Sequence, residues 1–152
     1  MDIFDTFFQL FAELKYDKLR QLKNTLKLLC VLVLISSTIY PLLTYIHCYF
    51  DIVIMVILGP FIEEYLKTIS VKTQCLSYYG FIFIILEQSL YIISLYSNYG
   101  LLFSLELRIP ATLMHLLTIM VYQYFNKTNK PLIVAFQLSF LIHMIFNMKG
   151  IM

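Results

Sequence analysis

Five apolar runs, each close to the ~20 residues that cross a bilayer core, occupy most of this chain, and the breaks between them are too short to hold a soluble domain. They fall at approximately 28–46, 51–72, 76–96, 108–125 and 131–149. In lipid only helices and closed barrels satisfy every backbone polar group, and runs of this length ask for helices. The expected fold is therefore all-α: a polytopic membrane helical bundle of about five transmembrane helices, forming one transmembrane domain over 28–149. Composition agrees, because 61% of residues are hydrophobic and 13% charged, against roughly 25% charged in a soluble domain. A net charge of +2 with no basic patch gives no footprint for nucleic acid. With 152 residues, function has to sit among the helices themselves.

Ahead of the first run, Phe4, Phe7, Phe8, Phe11, Leu14, Leu19 and Leu22 recur at helical spacing beside Lys15, Lys18, Arg20 and Lys23. Residues 1–27 thus read as an amphipathic helix lying on the membrane surface, with lipids as its partner. Asp2, Asp5, Glu13 and Asp17 precede the first apolar run, which argues against a cleavable signal. Short cytoplasmic loops collect Lys and Arg. A cytoplasmic N-terminus places nine of the eleven basic residues inside, leaving Arg108 and Lys149 outside. The expected protein is multi-pass, N-terminus in, C-terminus out. Cys30, Cys48 and Cys75 form no C-x-x-C pair, so neither a disulfide framework nor a thiolate zinc site is supported. His47-Cys48 reads as outer loop, and Asn126-Lys127-Thr128 matches a glycosylation sequon on the wrong side of the membrane for its use.

The polar residues left inside the spans are few: Glu63, Glu64 and Lys67 in the second, Glu87 and Gln88 in the third, Arg108 and His115 in the fourth, His143 and Asn147 in the fifth. A mid-helix charge facing lipid costs on the order of 2.5–3.5 kcal/mol on insertion scales, so these groups must face one another. At 1.5 Å per residue their depths from the cytoplasmic ends are ~13 Å for Glu63, ~20 Å for Glu87, ~16 Å for His115 and ~20 Å for His143. Four helices thus bring hydrogen-bonding groups to one shared zone. His143 and Asn147, four apart, share a helix face, as do Glu63 and Lys67, whereas Glu64 points about 100° away. Gly59-Pro60 lies one turn before the glutamates, where proline frees a carbonyl and glycine loosens the helix. Such a break admits water.

Taken together these residues resemble the PrsW-type intramembrane proteases, relatives of the type II CAAX prenyl endopeptidases and the wider CPBP group. The matching pieces are "EEYLK" (Glu63, Glu64, Lys67) for E-E-x-x-K, "GFIFIILEQSLY" (Gly80 to Tyr91) for G-x-x-F-x-x-x-E-N with Gln88 in place of Asn, "RIPATLMHLLT" (Arg108, His115, Thr118) for R-x-x-x-x-x-x-H-x-x-T, and "HMIFN" (His143, Asn147) for H-x-x-x-N. All four stand in order, each on its own expected span, and cover residues 59–147. The resemblance implies hydrolysis of a peptide bond in a single-span or lipid-anchored substrate within or at the edge of the membrane. The side chains supply a matching chemistry. A water between Glu63 and His115 loses its proton to the glutamate, His143 and Asn147 donate to the tetrahedral oxyanion, Lys67 or Arg108 neutralises Glu64, and Glu87 helps to position a histidine. The reading needs no cofactor. Its alternatives are zinc held by Glu63, His115 and His143, a non-catalytic peptide-binding or immunity protein, and a small transporter in which the same groups form a proton or ion path.

Overall fold

The computed structural model describes residues 18–44 and 53–149, and among them every regular element is a helix. The expected surface helix up to residue 17 and the His47-Cys48 loop lie outside the described residues. Helix α1 runs Lys18–Thr44 without interruption across the expected boundary at 27/28. A turn of π-helix, Ile54–Leu58, leads into α2, Gly59–Lys72. Three further helices follow: α3 is Leu76–Tyr99, α4 is Leu101–Lys127 and α5 is Leu132–Lys149. The widened turn ends where Gly59-Pro60 begins the α-helix with proline in its first turn, the place where a missing N–H costs least. The loosening expected at this dipeptide is thus a change of helix type one turn before the glutamates.

Short turns join the last four helices into antiparallel neighbours. After α2, Gln74 takes φ 57° and Cys75 N–H donates to Ser70 O at 2.9 Å. After α4, Asn129 takes φ 51° and Lys130 N–H donates to Phe125 O at 2.9 Å. Both are left-handed helix ends that satisfy a final carbonyl through a six-to-one bond. Between α3 and α4 a single residue, Gly100 at φ 74°, reverses the chain. One correction follows. Helix α4 starts at Leu101, seven residues before the expected start of the fourth span at 108, with Gly100 alone between it and α3. Asn24 Nδ2 donates to Thr73 O at 3.2 Å and fixes α1 to the α2–α3 turn.

Packing inverts the usual order of polar and apolar. Small apolar clusters hold the helices together, Val71, Ile84, Ile119, Tyr122 and Ala135 in one, Leu28, Leu66, Tyr79 and Phe83 in another. At Gly80 a Cβ would run into Ile119 Cδ1, so this glycine lets α3 and α4 approach closely. Yet the interior also contains Glu64, Lys67, Ser70, His115, Thr118, Gln123, Ser139 and His143, all buried, while Leu90, Ile93 and Leu102 are 68%, 71% and 78% exposed. Helices α3 and α4 are long and apolar enough to cross a membrane, and α5 is apolar but shorter.

Candidate functional site

Four helices deliver the site. Helix α2 contributes Glu63 and Glu64 from its second turn and Lys67 from its third, and α3, α4 and α5 contribute Glu87, His115 and His143 from their interior faces. Two imidazole–carboxylate pairs result. His115 Nε2 lies 2.6 Å from Glu87 Oε2, and His143 Nδ1 lies 3.1 Å from Glu64 Oε1. The two rings stand perpendicular with centroids 5.1 Å apart, and Phe83 closes the other side of His115 edge-on at 5.3 Å. Each carboxylate fixes one ring nitrogen and thereby turns the other toward a common space. Glu63 borders that space, its Oε2 3.7 Å from His143 Nε2.

A ligand atom from each of Glu63, His115 and His143 lies within 4.8 Å of the others. Glu63 Oε2 and His115 Nδ1 are buried and have no hydrogen-bond partner among the described residues. With Nε2 donating to the Glu87 carboxylate, His115 Nδ1 presents a lone pair. Glu63 Oε2 and His115 Nδ1 are therefore two buried acceptors in this cluster that a water could satisfy. The same three atoms fit an open zinc site, for which two imidazole nitrogens and a carboxylate oxygen, each histidine backed by a carboxylate, are a common donor set. Zinc bonds of ~2.0–2.1 Å would require the three groups to close on the ion.

Glu64 is held from three directions. Lys67 Nζ donates to its Oε1 at 2.7 Å and to Thr118 Oγ1 at 2.7 Å, all three side chains fully buried, and His143 occupies the same oxygen. Tyr122 OH donates to the Glu64 backbone carbonyl at 2.8 Å. Of the two cations expected to neutralise Glu64, only Lys67 is there. Arg108 points to α3 instead, its Nε donating to Gln88 Oε1 at 2.8 Å and its NH2 group lying 3.4 Å from Glu87 Oε1, with its guanidinium over the Tyr91 ring at 4.0 Å. Asn147 sits half-buried one turn beyond His143 on α5.

The structure therefore gathers Glu63, Glu64, Lys67, Glu87, His115 and His143 around one point, with Arg108 attached through Glu87. Tyr122 was not among the residues singled out in the sequence, yet it is fully buried and braces α2 through Glu64 and Thr68. The available signal was its spacing, since His115, Thr118 and Tyr122 follow one another at i, i+3 and i+7 on one helix face. No protein family, curated protein or solved structure matches the chain.

Proposed function

We propose that the chain is a multi-pass membrane protein whose buried cluster hydrolyses a peptide bond in a membrane-associated substrate, in the manner of the PrsW and CPBP proteases it resembles. The observation that carries this reading is the convergence of Glu63, His115 and His143 on one gap with two unpartnered acceptor atoms inside a bundle clad in apolar side chains. That exterior is what lipid solvates and water does not.

In the mechanism a water in the gap donates one hydrogen to Glu63 and one to His115 Nδ1. Its oxygen attacks the scissile carbonyl carbon as its proton passes to Glu63. The carbonyl oxygen becomes an oxyanion, stabilised by an N–H of His143 and by the Asn147 amide. Glu63 then gives its proton to the departing amine nitrogen as the C–N bond breaks, which regenerates the carboxylate. Glu87 keeps His115 in one tautomer, and Lys67 prevents two adjacent carboxylates from repelling one another.

A second reading is favoured by the carboxylate-backed imidazoles. Glu63, His115 and His143 would hold zinc, which supplies Lewis-acid activation of water when bound. One experiment separates the readings: the purified protein in detergent is given single-span peptides, and cleavage is read by mass spectrometry with and without a strong chelator. Cleavage that resists chelation and disappears in Glu63→Gln is expected. Activity lost to the chelator and restored by zinc would transfer the proposal to the metal, and peptides that bind but are never cut would replace it with a binding function.

A further inference from the structure

About two turns from the site, the bundle has a second polar feature that catalysis does not use. A cavity of about 220 Å³ opens where the start of α1, the α2–α3 turn and the end of α4 meet. Four carboxamides line it, from Gln21, Gln74, Gln123 and Asn126, with the Ser77 hydroxyl and an apolar floor of Val71 and Leu76. Gln123 is the unusual member. It is 2% exposed, and among the described residues neither its Nε2 nor its Oε1 has a hydrogen-bond partner. Leaving both ends of a buried amide unpaired costs the desolvation of each, about 1–3 kcal/mol apiece, so a position of this kind calls for a ligand that returns both bonds.

We infer that this cavity binds the backbone of an extended peptide segment, the flank of the substrate next to its membrane-spanning part. The inference rests on the protease reading. A carboxamide offers a donor and an acceptor side by side, which is the complement of one peptide group's C=O and N–H. The lining carries no charged side chain, which selects against phosphate, carboxylate and metal ions. The volume is smaller than the ~300–1,000 Å³ of ordinary small-molecule pockets, and suits a short stretch of chain. Gln123 and His115 lie eight residues apart on α4, ~12 Å along its axis at 1.5 Å per residue. At ~3.3 Å per extended residue, a peptide group on Gln123 is about four residues from the bond being cut.

The test reads binding separately from hydrolysis. A fluorescent single-span peptide with a short polar flank is titrated into the full chain in nanodiscs, in a Glu63→Gln background so that nothing is cut. Host peptides carry one backbone N-methyl group, moved residue by residue along the flank. Methylation about four residues from the scissile bond should weaken binding by about tenfold, the loss of roughly one to two hydrogen bonds, and neighbouring positions should matter less. Gln123→Met, nearly isosteric, should cause the same loss and abolish the sensitivity to methylation. A flat methylation profile with full affinity in Gln123→Met overturns the inference and leaves the protease reading intact. The same result with Gln123→Met more stable than the parent means that the cavity holds water only. If flanked and flankless peptides both fail to bind and wild type cuts neither, inference and protease reading fall together.

Discussion

Lys67 has no contact with solvent, and among the described residues its ammonium bonds to Glu64 and Thr118. Removing one member of such a pair leaves an uncompensated buried charge. Lys67→Met should therefore destabilise the protein by about 3–5 kcal/mol, measured as a lowered unfolding midpoint in detergent. Glu64→Gln added to it should recover most of that loss, since neither charge then remains; no recovery would mean that Lys67 acts by packing. Glu63 carries the opposite expectation, because its Oε2 has no hydrogen bond among the described residues and only the 3.7 Å contact with His143 Nε2 to lose. Glu63→Gln should lower peptide hydrolysis by roughly 10²–10⁴-fold with little change in the midpoint. Asn147→Ala should cost about 10²–10³-fold in turnover while peptide binding stays close to wild type. A fall in affinity of the same size would move Asn147 from oxyanion donor to substrate contact.

Which elements carry these residues was legible in the sequence, because a charge inside an apolar run has nowhere to go but toward another. That argument places Glu63, Glu87, His115 and His143 in one zone without any knowledge of the helix packing. It cannot choose partners. The sequence left Arg108 and Lys67 both open as partners of Glu64; Lys67, three residues on along the same helix, takes that place, while Arg108 bonds Gln88 and Glu87 across the α3–α4 contact. Tyr122 escaped for a similar reason, since a tyrosine near a span end has the same composition signal whether it faces headgroups or a neighbouring helix. The packing argument has its own test. Gly80→Ala should destabilise the bundle by about 1–3 kcal/mol through overpacking. Ile119→Val, which deletes the methyl a new Cβ would meet, ordinarily costs ~0.5–1.5 kcal/mol. In the Gly80→Ala background it should instead restore stability, and a simple sum of the two losses would show that the helices adjust elsewhere.

At the scale of the whole molecule, orientation follows from parity. The turn after α2 and the turn after α4 are separated by two helices, so if α3 and α4 both cross the bilayer these turns lie on the same side, whatever α1 does. One carries Lys72 and the other Lys127 and Lys130, while the Gly100 turn between them has no basic residue from 97 to 102. Positive residues gather on the cytoplasmic side of short loops, so the orientation we propose has both lysine-bearing turns inside and, if α5 also crosses, Gly100 and the end of α5 outside. A reporter inserted between Lys127 and Lys130 should read as cytoplasmic, and one fused after Met152 as external. The N-terminus tests the remaining span separately. If α1 crosses, with a single further crossing through the π-turn and α2, a reporter before Met1 reads as cytoplasmic. An external N-terminus with the other two reporters as expected would mean that α1 lies along the bundle without crossing, and the bundle would then have four spans instead of five.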